Sequence, residues 1–433
     1  MSRHRARTPD FTIQNDLQNE LEDQPLIPGG QIQPPRDHYN LSYLAMVVFG
    51  LAALLPWNMF ITATSYFDKK FEKGSPFVHK QFENFITIFS QITNVAFLFI
   101  NVSLQNRFSA FVRIMGSLLV MCLMFVMTTI MVKIDTHTWA DGFFGLTLVT
   151  VVLFNACAGV FQGGIFGLAA SFTPRHIQGF MTGQGVGGIF ASVASIISLA
   201  VTNGEDPIQS GFYYFLAASL VIIVALVMYP IFLNLPISKF YLDRVTDELS
   251  RSFKAPTVSS WTIIKKIKWM LFSVWATFCV TLTVFPAVIA SIKSVSADSP
   301  LTTTYFTPVT CFLLFNFGDF VGRTVAGSVQ VLTRKWLVIL TITRVIFIPM
   351  FAMCNYHPDE RTTAVWFNND AFPIAFMTVF SFSNGYLASL AMMYGPSQVP
   401  SDQQTTAGAF MAFGLGLGLM SGAFMSFALN AVL

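Results

Sequence analysis

The chain has 433 residues, 54% hydrophobic and 11% charged, with 46 Phe, 19 Met and a net charge of +3. A soluble domain carries about 25% charged residues, so these side chains cannot clothe a globular surface in water. Soluble enzymes, polyanion binders and disordered scaffolds are excluded, and an all-α polytopic membrane protein remains.

Residues 1–40 are polar, with Pro25, Pro28, Pro34 and Pro35, and predict a disordered tail. The first long apolar run begins near residue 41, so no N-terminal secretory signal is expected. Eleven apolar segments follow, each long enough to cross about 30 Å of hydrocarbon as a helix. They lie near 41–67, 84–104, 114–134, 143–173, 177–201, 209–235, 263–293, 303–329, 335–355, 366–395 and 404–431. A polar connection over 236–262 divides them into six spans (41–235) and five (263–433).

Lys and Arg set the expected orientation. With the tail cytosolic, the inner side holds the tail arginines, Arg107, Arg113, Arg175, the Lys/Arg of 239–268, Arg334 and Lys335. The outer side holds Lys69, Lys70, Lys73, Lys80, Lys133, Lys293 and Arg361. That excess predicts an inner N-terminus and, after eleven crossings, an outer C-terminus. Trp261, Trp269 and Trp336 near inner ends, and Trp139 and Trp366 near outer ends, are expected as interfacial anchors.

In chain order, the first and seventh spans each carry a proline beside an aromatic: Pro56-Trp57 and Phe285-Pro286. Matching breaks in two halves suit the repeats of a transporter, although kinked helices also occur in receptors. The second span presents Asn84, Thr87, Gln91, Asn94, Asn101 and Gln105 on one face. Lipid cannot satisfy such a stripe. It reads as the wall of a hydrated solute path or as interhelical hydrogen bonding.

Glycines recur every four residues in the fourth span (Gly159, Gly163, Gly167) and the eleventh (Gly414, Gly418, Gly422). The fifth carries Gly179, Gly183, Gly187, Ala191 and Ser195 at the same spacing. Such ridges let helices pack closely, and they can also slide. Gln162, a long amide in mid-membrane, offers a donor and an acceptor together, as the edge of a heterocyclic base requires.

Asp319 and Arg323 stand four apart in the eighth span and share a helix face with Asn316 and Phe312. Charges at that depth face a cavity or each other. One reading is a structural salt bridge. The other is an open site in a hydrated chamber, with an aromatic platform, an amide, a carboxylate and a guanidinium suited to a ring bearing hydroxyls. Arg344 in the ninth span reads as structural. The cysteines Cys122, Cys157, Cys279, Cys311 and Cys354 lack metal or disulfide spacing and read as buried hydrophobes. Neither cofactor nor metal is expected. No His, Ser or Cys spacing of an enzyme is found, and Asp319 is the lone intramembrane carboxylate. A uniporter driven by its solute's gradient fits best. A sugar or drug carrier and a signalling membrane protein without flux are the alternatives.

Several runs resemble the equilibrative nucleoside transporters. They are Pro56-Trp57-Asn58-Met59-Phe60-Ile61-Thr62-Ala63, Phe161–Gly167 (FQGGIFG) and Met181–Val193 (MTGQGVGGIFASV). Asn316–Arg323 (NFGDFVGR), Phe382–Leu390 (FSNGYLASL) and Thr406–Phe413 (TAGAFMAF) complete the set. The resemblance implies eleven helices in a 6+5 arrangement like the major facilitator fold, and facilitated, sodium-independent passage of purine and pyrimidine nucleosides. It implies that Gln162 reads the base and that Asp319 and Arg323 bind the ribose. Asn316, Phe312, Leu54, Trp57, Ile61, Phe285 and Leu419 would line the cavity, and Gly183 and Gly188 would be needed for transport.

Three departures from the family pattern stand out. Ala158 replaces a glycine tied to inhibitor sensitivity. Gln91 and Asn94 replace apolar cavity residues, which points toward nucleobases or smaller solutes. The central loop is short, and no glycosylation sequon falls in an expected outer loop. In the tail, Glu22, Leu26 and Ile27 fit an acidic dileucine signal for a cytosolic adaptor protein, as in lysosomal members. Endosome or lysosome and plasma membrane are the two expected residences. The remaining partners are nucleosides and membrane lipid, and nucleic acid is not one.

Overall fold

The computed structural model describes residues 26–27, 31–32, 34–72, 75–105, 107–136, 138–202, 207–252, 259–296, 298–356 and 365–432. Most of the expected tail, Glu22 included, lies outside these. Leu26–Ile27 (β1) pairs antiparallel with Gln31–Ile32 (β2).

The helices are α1 (Leu41–Thr62), α2 (Thr64–Phe71), α3 (Pro76–Leu104), α4 (Ala110–Lys133), α5 (Ala140–Ala170), α6 (Pro174–Thr202) and α7 (Pro207–Asn234). They continue with α8 (Pro236–Ser252), α9 (Ser260–Val284), α10 (Ala287–Ala290), α11 (Leu314–Ser328), α12 (Arg334–Thr343), α13 (Phe347–Ala352), α14 (Ala371–Tyr394) and α15 (Ser401–Val432). Proline opens α3, α6, α7 and α8, at the position where a missing N–H costs nothing. Ser109 and Ser259 cap α4 and α9 with their side chains.

Among the described residues, eleven stretches are long and apolar enough to cross a membrane, and they coincide with the expected spans. Two were not legible as built. A π-helical segment, Thr307–Leu313, leads into α11. The ninth span is broken by a 3₁₀ turn at Arg344–Ile346 between α12 and α13. The expected central loop is also partly helical, because α8 is polar and amphipathic and shows no apolar run. The tryptophans Trp261, Trp269, Trp336 and Trp366 are exposed, and Trp269 lies nine residues into α9, deeper than an end position.

Backbone contact through glycine sets the packing. A Cβ on Gly50 of α1 would lie 2.0 Å from the Phe180 carbonyl oxygen, and one on Gly183 of α6 would lie 2.0 Å from that of Val47. Gly385 of α14 approaches the Asp319 carbonyl of α11 in the same way. The ridge of α15 meets α9 at Trp275 and Cys279, and that of α5 meets α3 at Asn94 and Asn101. These ridges serve close packing.

The spans before and after α8 meet along a seam. Residues 38, 171–174, 259, 334 and 401 mark the face that carries the N-terminal end of α1, and the other side is the distal face. Toward the N-terminal face one hydrophobic cluster runs through both sets of helices, from Ala45 and Phe180 to Ile267, Met393 and Met411. Toward the distal face the later spans have a cluster of their own, around Val284, Phe315, Phe351 and Phe380. The hydrophobic core is thus continuous across the seam at the N-terminal face, where it forms a weld, while toward the distal face α6 meets the later spans at Asn316 and the π-helical segment.

Candidate functional site

The weld is made of small residues and neutral polar groups. The Thr406 hydroxyl of α15 donates to Oε1 of Gln105, just past α3, at 3.4 Å, and the Thr405 hydroxyl donates to Ser171 Oγ at 3.3 Å. Gly408 abuts the Phe166 carbonyl of α5. Between α6 and α11, the Gln178 amide donates to the Arg323 carbonyl at 3.3 Å, and the Asn316 amide donates to Ser192 Oγ at 2.8 Å.

Three amides stand apart from this bonding. Gln162 is the single residue from Ala158 to Ala170 that is not buried. Among the described residues its amide has no hydrogen-bond partner, and neither do the side-chain amides of half-buried Gln91 and Asn94. At 1.5 Å per residue, Gln162, Asn94 and Asp319 lie about 12 to 15 Å from the N-terminal-face ends of their helices. Three helices therefore bring these residues to one level. The Asn94 side chain points toward Gly416 of α15, across the seam. Unpartnered amides at bilayer depth require water or a solute.

Leu54, Trp57, Phe285, Phe312, Asn316 and Leu419 are likewise half-buried. Trp57 stacks nearly parallel on Phe60, with centroids 6.4 Å apart. Phe285 stacks on Phe315 at 3.9 Å and meets Phe312 edge-on at 5.8 Å, which forms an aromatic wall on the later spans. The Ile61 side chain lies outside what is described. Gly188 abuts Asn316 at the seam, whereas Gly183 packs within the first six spans against α1.

Asp319 and Arg323 differ from the expected open pair. Each is only 4% exposed, and Arg323 Nε donates to Asp319 Oδ2 at 2.6 Å. Asp319 Oδ1 accepts from the Asn384 amide of α14 at 2.6 Å. Arg323 Nη1 donates to Gln184 Oε1 at 3.0 Å and to the Met181 carbonyl at 3.2 Å, both on α6. In this state the pair forms the floor beneath Asn316 and joins the two sets of helices. The charges are closed in because the weld supplies, from α6 and α14, the partners that solvent would otherwise provide. Gln184, Gln178, Ser192 and Asn384 are the residues that sequence reasoning missed. Their signal was a polar side chain in mid-span, but nothing in a linear sequence says which charge each one meets.

Arg113, expected in a loop, lies in the first turn of α4, buried, and its guanidinium donates to Asn101. His176 is buried in α6 between Ser42 and Thr173. No group of three metal-ligating side chains occurs among the described residues.

The nucleoside transporter family model matches residues 148–255 and 242–431. Human equilibrative nucleoside transporter 1 is 35% identical over 92% of this chain and 98% of its own length. Rat equilibrative nucleoside transporter 3 is 32% identical over 91% of this chain and 90% of its own. Among solved structures, the major facilitator superfamily proton:xylose symporter XylE superposes with a TM-score of 0.59 at 13% identity, covering 91% of this chain and 87% of that one. That likeness concerns the fold alone. With eleven spanning helices in a major-facilitator-like arrangement and relatives matched along nearly their whole length, the chain belongs to the equilibrative nucleoside transporter family.

Proposed function

We propose that the protein carries purine and pyrimidine nucleosides across a membrane down their own gradient, by alternating access and without sodium. The observation that carries this is the set of unpartnered amides, Gln91, Asn94 and Gln162, on helices that meet at the seam, with Asn94 and Gln162 at the level of Asp319. They meet the edge of a base with donors and acceptors, while Trp57, Phe285 and Phe312 offer apolar faces to its ring. The ribose sits toward Asn316, and its hydroxyls exchange for the internal partners of Asp319 and Arg323. Exchange of one hydrogen bond for another leaves a modest net affinity, about 1 kcal/mol per bond, which a carrier needs for release.

The spans of 41–235 and 263–433 act as the two moving bodies, with 236–262 as their connection. The Lys and Arg distribution supports a cytosolic N-terminal face, so the continuous core of the seam lies toward the cytosol. The polar Gln91 and Asn94 support acceptance of nucleobases as well. Glu22, Leu26 and Ile27 support capture by a cytosolic adaptor protein. Leu26→Ala with Ile27→Ala shifts the protein to the plasma membrane if it resides in endosomes or lysosomes, and leaves it in place if it does not.

Uptake of labelled uridine into proteoliposomes tests the reading, with a hexose as the competing substrate. Uridine enters, and Asp319→Ala and Arg323→Ala abolish entry while protein abundance holds. Hexose uptake without uridine uptake refutes it, as does normal uridine uptake in either variant.

A further inference from the structure

The Asp319 carboxylate is held from two sides, and only one of them is Arg323. Asn384 Nδ2 donates to Asp319 Oδ1 at 2.6 Å. Asn384 Oδ1 accepts from the Thr281 hydroxyl of α9 at 2.7 Å. Thr281 Oγ1 in turn accepts from Arg344 Nη2 at 2.8 Å. The direction of this chain is fixed by its ends, because a guanidinium can only donate and a carboxylate can only accept. Thr281 must therefore point its hydrogen at Asn384 rather than at the Thr277 carbonyl, which is also 2.7 Å away. Asn384 must present its NH₂ to Asp319.

We propose that Arg344 is a positioning residue for substrate binding: through Thr281 and Asn384 it fixes the orientation of the Asp319 carboxylate that receives the ribose. The inference rests on the proposed role of Asp319. Arg344 is placed for this and poorly placed for stability. It sits in the 3₁₀ break of the ninth span and is 2% exposed. Its Nη1 donates to the Phe380 carbonyl at 2.9 Å and to Ser383 Oγ, and its Cζ lies 4.6 Å from the Phe380 ring centroid. Its Nε has no partner.

A buried cation with an unpaired donor is costly, and a packed apolar side chain would often be at least as stable there. What the guanidinium provides that a hydrophobe cannot is direction along the relay. The relay also reaches the site from the side away from the seam, through α9 and α14. The carboxylate therefore keeps its orientation when the α6 contacts of Arg323 part. Two guanidinium groups against one carboxylate leave an excess positive charge below the site, which favours electron-rich hydroxyl oxygens above it.

The test measures affinity of purified protein for uridine and for its dideoxy analogue, which lacks the ring hydroxyls, by ligand-induced thermal stabilisation. In the parent the analogue binds about tenfold more weakly, as the loss of bonds to a charged group predicts. Thr281→Val and Arg344→Lys each weaken uridine binding about five- to tenfold and shrink the ratio between the two ligands to about twofold. Thr281→Ser restores both values. The double variant is no weaker than either single one, as members of one chain require.

A merely structural role lowers abundance or weakens both ligands equally. An unchanged ratio in Thr281→Val or Arg344→Lys, or additive losses in the double variant, overturns the relay. Asp319→Asn separates the two levels of inference. If it retains the full parent ratio, the ribose role of Asp319 is wrong. If it loses the ratio while the relay variants keep it, the ribose role stands and the relay is wrong.

Discussion

Gln184→Leu tests whether the floor of the site is also a latch. Arg323 Nη1 reaches across the seam to Gln184 Oε1 at 3.0 Å, with the Met181 carbonyl at 3.2 Å as its second acceptor. Leucine keeps much of the bulk but accepts nothing. A hydrogen bond to a charged group is worth about 1.5 to 3 kcal/mol, and the surviving Met181 contact argues for the lower end. A bond made only while the N-terminal face is shut shifts the balance of states by its full worth. About 1.4 kcal/mol is tenfold in that equilibrium. With Thr405→Cys as a reporter in the weld, labelling by an impermeant maleimide from the N-terminal face should quicken about tenfold in Gln184→Leu. A labelling rate within about twofold of the reporter parent would show that the Arg323–Gln184 bond does not hold the seam.

Gly188→Ala places a methyl 2.1 Å from Asn316 Oδ1 and so displaces the residue above the floor. Uridine uptake should fall at least tenfold at normal abundance, as read by transport and membrane protein assays. Gly322→Ala drives a methyl to 2.2 Å from the Phe382 carbonyl, where backbone must yield. Overpacking of that kind costs about 1 to 3 kcal/mol, and thermal denaturation should report a lower midpoint. Gly116→Ala is the counterpart, with nothing within 4 Å of the added methyl. It should match the parent or gain about 0.5 to 1 kcal/mol through helix propensity, read in the same melt. Gln162→Leu removes the unpartnered amide but keeps the apolar wall, so uridine affinity should drop about fivefold in the binding assay.

The spans were legible because about twenty apolar residues in a row have few other fates. Helix α8 was not, since Pro236–Ser252 is too polar to register in a hydropathy reading and its helical character lies in the spacing of Phe240, Tyr241 and Val245. Asp319 and Arg323 could be paired from their spacing along one helix. Their partners Gln184 and Asn384 lie on other helices, and helix adjacency is fixed by which glycines admit which backbones. The openness of the site was misjudged for a similar reason. Mid-membrane charge signals a cavity or a partner, and the sequence of α11 alone does not choose between them. Arg113 lies just before the third span as the sequence marks it, whereas Ser109 caps the helix early and the guanidinium turns inward onto Asn101.

The polar stripe of α3 shows why a welded seam need not be a locked one. Its two expected roles are both present, at different heights. Asn101 is fully buried and bonds Arg113, and Gln105 crosses to Thr406, so the end at the N-terminal face is interhelical hydrogen bonding. Gln91 and Asn94, higher up, have no such partner among the described residues and are half-buried. The lower end is also incompletely satisfied. Asn101 Nδ2, Gln105 Nε2 and, on α15, Gln403 Oε1 are buried without partners. Each such atom costs about 1 to 3 kcal/mol. Gln105 Nε2 and Gln403 Oε1 lie beside the Thr405 and Thr406 bonds at the seam, whereas Asn101 Nδ2 faces Gly163 within the first six spans, so the seam bears part of this cost. A structural interface would have no use for that penalty. A carrier has one, because the shut face must be stable enough to form and weak enough to part when the distal side closes over its cargo.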